Sequence, residues 1–119
     1  MSDDDLSPFL PLTTAALHIL LALSGQDRHG YGIMQEIGRQ TAGKYKPGPG
    51  TLYETLEKLL NSGLIDEVHS RAKGEDPRRR YYRMTKLGQK VLAEEVQRLD
   101  AVVRTAKANL GVVPARKTL

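Results

Sequence analysis

Six basic side chains, Arg71, Lys73, Arg78, Arg79, Arg80 and Arg83, fall within the thirteen residues 71–83, with Tyr81 and Tyr82 among them. Guanidinium groups this closely spaced do no covalent chemistry; what they do well is bind phosphate through paired, charge-assisted hydrogen bonds. The charge along the chain is arranged accordingly. Residues 1–70 hold five Lys/Arg against nine Asp/Glu, residues 71–83 six against two, and residues 84–119 seven against three, so a net charge of +4 conceals segments of −4, +4 and +4. Concentration on one segment is what attraction to a polyanion requires, which favours a nucleic-acid partner over a merely solvated face.

Other chemistries find no residues to carry them. The chain has no Cys, which excludes disulfides, thiolate metal sites and thiol nucleophiles. His18, His29 and His69 share no metal-ligand spacing, and His18, inside an apolar run, reads as a core or interface residue. Gly48-Pro49-Gly50-Thr51 is not a phosphate loop, because no Gly-Lys-Ser/Thr follows and Pro49 has no amide to donate. The acidic pair Asp66-Glu67 has neither a histidine nor a nucleophile beside it. A non-enzymatic binding protein without cofactor or metal is therefore expected. At 119 residues the chain is one domain with a modest core that a dimer would enlarge. The apolar stretch Ala15 to Leu23 is too short to cross a bilayer, and Asp3-Asp4-Asp5 contradicts a secretory leader, so a cytoplasmic protein without membrane association is expected.

The elements that must position the basic segment follow from periodicity. Residues 1–11 read as a flexible arm whose Phe9 and Leu10 reach the body. Thr13 and Thr14 are caps for a first helix running to Leu23, apolar all round, with Ser24-Gly25 ending it through a left-handed glycine. A second helix runs from Tyr31 to Gln40 with Ile33, Met34 and Ile37 on one face. Lys44 to Gly50, rich in Pro and Gly, is a connector. Pro49 then opens a third helix with Leu52, Leu56, Leu59 and Leu60 at helical spacing, and Gly63 terminates it. Two strands, Leu64 to Ser70 and Arg79 to Met84, make a hairpin in which Tyr82 and Met84 face inward and Tyr81 and Arg83 outward. Thr85 caps a last helix to Leu110, whose Leu92, Val96, Leu99, Val103, Ala106 and Leu110 alternate four and three apart, a heptad seam with no mate inside one chain. Glu94 to Arg98 and Asp100 to Arg104 are i,i+4 ion pairs on its wet side. The fold class is mainly α with a small two-stranded β wing, a winged helix-turn-helix plus a long C-terminal dimerisation helix. The divisions are a 1–11 arm, a 12–85 DNA-binding domain, an 86–110 dimerisation helix and a 111–119 disordered tail.

His29-Gly30-Tyr31-Gly32-Ile33, Gly50-Thr51-Leu52-Tyr53, Gly63-Leu64-Ile65 and Arg79-Arg80-Tyr81-Tyr82-Arg83-Met84-Thr85 with Gly88, following Leu17 to Leu23, occur in an order that resembles the PadR-like family of bacterial transcriptional regulators. The resemblance covers roughly residues 12–105 and implies a homodimeric repressor on a palindromic operator. The single C-terminal helix is similar to the family's short branch.

On this basis double-stranded DNA is the expected partner. Thr51 and Lys58 are candidate backbone contacts on the third helix, Thr55 is a candidate base reader, and Glu54 is either a base reader or a solvated residue. Tyr31 and Tyr53 are candidate phosphate-contacting hydroxyls or else packing residues, and Lys44 and Lys46 would track the same strand. Arg71, Lys73, Arg78, Arg79, Arg80 and Arg83 supply the wing. Two rivals stand beside this one. In the first, a regulator of the same fold also takes a small apolar effector in its dimer interface, although the tryptophan clamp of some relatives cannot be transferred to a chain with no Trp. In the second, a winged-helix module binds protein instead of DNA.

Overall fold

A computed structural model describes residues 5–69 and 79–111 of the chain. A 3-10 turn at Ser7–Phe9 leads into α1 (Thr14–Ala22), followed by β1 (Arg28–His29), α2 (Gly30–Gln40), α3 (Pro49–Asn61), β2 (Ile65–Val68), β3 (Tyr81–Met84) and α4 (Lys86–Leu110). Three helix starts are set by side chains that the sequence places there. Thr13 Oγ1 accepts the Ala16 N–H at 3.1 Å, His29 Nδ1 accepts the Gly32 N–H at 3.0 Å, and Thr85 Oγ1 accepts the Gly88 N–H at 3.0 Å. Each satisfies an otherwise orphaned amide, an effect of about 1 kcal/mol for a threonine cap. Pro49 opens α3 from Gly48, and Gly63, at φ +78°, takes the left-handed position that ends it.

The core forms where α1, α2 and α3 meet. Ile19 and Leu20 of α1, Ile33 and Ile37 of α2, and Leu52, Leu56 and Leu59 of α3 are buried together with Leu64, Ile65, Tyr82 and Val91. Phe9 and Leu10 of the arm pack partly buried against this cluster, as expected. The sheet has the order β1-β3-β2 and is antiparallel throughout. Ile65 pairs with Met84 and Val68 with Tyr81, which turns Tyr82 and Met84 to the core and exposes Arg83. The two-stranded hairpin expected from the sequence thus gains a third strand: residues 28 and 29, inside what reads as a polar turn, pair with Tyr82 and Tyr81. A two-residue strand is too short to show any alternation, so its pairing has no signature in the sequence.

Two local expectations are corrected. Helix α1 ends at Ala22 with Leu23 as its C-cap, and Gly25 is not among the left-handed residues. Arg98 does not bond Glu94. Its Nε and Nη2 donate to the two carboxylate oxygens of Glu95, at 2.7 and 3.0 Å, because Glu95 lies against the body and Glu94 faces water. The Asp100–Arg104 pair forms as expected, at 2.9 Å.

Helix α4 crosses the body only with its first turns. Gly88, Val91, Leu92 and Glu95 are buried, and no described residue after Glu95 is. The crossing is close: a Cβ on Gly88 would overlap the Leu64 carbonyl oxygen and lie 2.8 Å from Met84 Cγ. The remainder of a rod of about 38 Å buries none of its residues against the described part of the chain. Among the described residues no helix is long and apolar enough to cross a membrane.

Candidate nucleic-acid interface

Burial of Leu52, Leu56 and Leu59 fixes the rotation of α3, and with it the residues presented outward. Gly50, Thr51, Glu54, Glu57, Lys58 and Asn61 are exposed. Glu54 and Lys58 form an i,i+4 pair at 3.8 Å on this face, so the carboxylate named as a base reader and the ammonium named as a phosphate contact are neighbours in the free protein. Thr55 is less exposed than Thr51, Glu54 and Lys58. It is half-buried on the flank of α3 and, with Thr51 and Lys58, lines a groove that Pro8, Phe9 and Pro11 of the arm border, because the arm folds back beside the helix. Glu57, exposed on the same helix one turn beyond Glu54, carries no signal in the sequence that would single it out.

On the other flank of α3 the chain closes a polar cleft of about 290 Å³, lined by His29, Gly30, Tyr31, Tyr53, Arg79, Arg80 and Tyr82. Three separated segments converge here: the first turn of α2, the second turn of α3, and the start of the wing strand. Tyr31 is 59% and Tyr53 50% exposed, more than half-buried packing residues would be, and Tyr53 lies over Gly30, where any Cβ would overlap its hydroxyl. Glycine at position 30 is thus what lets Tyr53 occupy this place. His29 caps α2 through Nδ1, and its Nε2 stands 2.7 Å from Arg79 Nη1. The His29 ring also meets the Tyr81 ring edge-on at 5.2 Å. Two tyrosines and two guanidiniums around one opening make a site suited to an anionic oxygen.

The wing arginines are engaged internally as well. Arg80 Nη2 donates to Glu67 Oε1 at 2.9 Å, and its guanidinium carbon lies 5.6 Å from the Tyr82 ring centroid. Arg83 reaches across to Asp27 with two hydrogen bonds, 2.9 and 3.3 Å. The Arg80 guanidinium holds the Glu67 carboxyl below the ordinary carboxylate range against the opposing pull of burial. Both pairs are open to solvent and screened by it, so a phosphate can displace either carboxylate. Asp27 and Glu67 are partners that local sequence does not reveal, since only the sheet register brings them beside these arginines.

Lys44 and Lys46 are exposed in the connector, and Lys46 borders a groove shared with Tyr31. Arg71, Lys73 and Arg78 lie outside the described residues, as does the 112–119 segment of the expected tail. Gly111, by contrast, is described and caps α4 at φ +69°. Of the seam residues, Leu92 is absorbed into the chain's own core, because the seam begins where α4 still crosses the body. Val96, Val103 and Leu110 are exposed, and Leu99 and Ala106 half-exposed. Val102, missed by the four-three spacing, is 50% exposed on the same apolar side and borders a shallow concavity with Ala101 and Ala106.

Comparison with known proteins agrees with this geometry. The profile of the transcriptional regulator PadR-like family matches residues 19–94. The chain is 35% identical over 88 residues to the transcriptional regulator Rv3488 of Mycobacterium tuberculosis, covering 74% of this chain and 78% of that one. A transcriptional regulator from Clostridium thermocellum superposes with a TM-score of 0.69 at 26% identity, over 91% of this chain and 96% of that one. Bacillus subtilis PadR, solved in complex with operator DNA, superposes with a TM-score of 0.61 at 20% identity, over 72% of this chain and 48% of that one.

Proposed function

The chain belongs to the PadR-like family of transcriptional regulators, and on that premise we propose that it is a homodimeric repressor acting on an inverted-repeat operator in the cytoplasm. It is a DNA-binding transcriptional regulator rather than an enzyme. The observation that carries the finer proposal is the cleft of His29, Tyr31, Tyr53, Arg79 and Arg80 beside the exposed face of α3. A phosphate in that cleft leaves α3 positioned against the adjacent major groove, the division of labour in which backbone contacts set register and base contacts set sequence.

In this arrangement Tyr31, Tyr53, Arg79 and Arg80 hold one phosphate region. Thr51 holds the phosphate at the start of α3, and Lys44 and Lys46 follow the strand past the connector. Arg83 exchanges Asp27 for a phosphate at the outer edge of the wing. Glu54 accepts from a base amino group, the role open to a carboxylate in the major groove, with Lys58 beside it. Residues 12–85 are the DNA-binding unit and residues 86–110 the dimerisation helix. The apolar side of α4 beyond Glu95 supports the dimer, and the concavity beside Ala101, Val102 and Ala106 is where a small apolar effector would lodge between two copies.

The test is binding to the DNA upstream of the protein's own gene across a salt series. Wild type should lose affinity steeply with salt, because each neutralised phosphate releases counterions. Arg79→Ala with Arg80→Ala should weaken all sequences alike and flatten the log–log salt slope by up to about two units, the full amount if each arginine neutralises its own phosphate. A shallow wild-type slope would mean a protein partner instead. Loss of binding to one sequence alone would mean that the wing reads bases.

A further inference from the structure

Glu95 is the one buried charged residue among those described, at 1% exposure. It is also the last buried residue of α4 before the helix leaves the body. Its Oε2 accepts the Leu12 N–H at 3.0 Å, a contact spanning 83 positions, from the backbone that leads directly into the Thr13 cap of α1. Arg98 grips both oxygens from the next turn of α4. A carboxylate is a costly thing to bury, and an apolar side chain at this point of the helix would serve packing at least as well. What a carboxylate supplies that an apolar residue does not is direction: one fixed angle between α4 and the start of the body.

We propose that Glu95 is a positioning residue for operator recognition, a pivot that sets the angle between the dimerisation helix and the DNA-binding body and thereby the half-site spacing the dimer accepts. This rests on the homodimeric, DNA-binding function proposed above. The lever is long. From Glu95 to Leu110 the helix runs about 22 Å, so a tilt of about 10° at the pivot moves its far end by about 4 Å relative to the body. That is close to the rise of one base pair, about 3.4 Å. Two such pivots, one per protomer, lie between the two α3 helices. A loose joint at Glu95 therefore blurs the spacing by about a base pair, while every contact of α3 and the wing with DNA stays available.

The experiment measures affinity for a series of inverted repeats that differ only in the separation of half-site centres, stepped by one base pair around a helical turn of about 10.5 base pairs. Glu95→Ala and Glu95→Gln are compared with wild type, with sedimentation and thermal melting run on each. Glu95→Ala should remain a dimer and bind nonspecific DNA as before, while its preference for the best spacing over its neighbours shrinks by about twofold to thirtyfold, the range of such long-range couplings. Glu95→Gln keeps an acceptor for the Leu12 N–H and should lie between the two. Should Glu95→Ala fail to fold, the comparison of Glu95→Gln with wild type decides. An unchanged spacing profile in a less stable protein overturns the proposal and leaves Glu95 as a packing residue only. If wild type itself shows no spacing preference, the dimeric operator function has failed, and the pivot with it.

Discussion

Val103→Asp is expected to convert the proposed dimer to monomer while leaving the DNA-binding body folded. Val103 is 47% exposed in the single chain and has no part in its buried core, so the substitution costs one protomer almost nothing. In a twofold dimer held by α4 the same change occurs on both sides of the interface. Each carboxylate then either loses water without a partner or forces the helices apart, a penalty of several kcal/mol. A loss of about 4 kcal/mol is a thousandfold in the dimer dissociation constant. Sedimentation velocity should show the mass of one chain, with helical content and melting cooperativity kept, and operator affinity should fall with the dimer. An undisturbed dimer would remove the free half of α4 as the interface.

Gly88→Ala is expected to be the most damaging methyl group that could be added to a described glycine. The Leu64 carbonyl oxygen that the new Cβ would meet is backbone, held in place by the Thr85 N–H at 3.0 Å, so it cannot swing aside. Helix α4 would have to lift off the sheet, loosening Val91, Leu92 and Met84 at the same time. Overpacking of this kind costs about 1–3 kcal/mol or more, which in a domain of this size lowers the melting temperature by about 3–20 °C. Gly38→Ala provides the opposite sign. Gly38 sits inside α2, and a Cβ added to it would meet nothing within 4 Å, so alanine there should stabilise by about 0.5–1 kcal/mol. If both variants melt like wild type, the close crossing of α4 over Leu64 is wrong.

Most of the fold is legible in the sequence because its boundaries are written in single residues. Thr13, Pro49, Gly63 and Thr85 mark helix ends through their own chemistry, and the leucine spacing of α3 declares which side is buried. Less of the site is legible. The tyrosines and arginines around the cleft can be named singly, but their convergence depends on the sheet register and on Gly30 leaving room for Tyr53. The groove beside Thr51, Thr55 and Lys58 is not legible either, because nothing local says that the arm returns to the flank of α3. Glu94 rather than Glu95 is the partner that spacing assigns to Arg98, since the i,i+4 rule for ion pairs knows nothing of which carboxylate the body covers. Leu92 shows the same limit: a heptad seam states which residues share a face, and only the packed structure divides that face between the chain's own core and a partner.

The central claim is that two copies of this chain, joined through α4, read an inverted repeat with α3 while the cleft and wing hold the backbone. Selection of binding sites from random duplex DNA by the purified protein tests it most directly. The expected result is an inverted-repeat motif with half-site centres about 34–36 Å apart, one helical turn, or a multiple of it, whose enrichment disappears with Val103→Asp. A single unrepeated motif bound equally well by wild type and Val103→Asp, or no enriched motif at all, would contradict it.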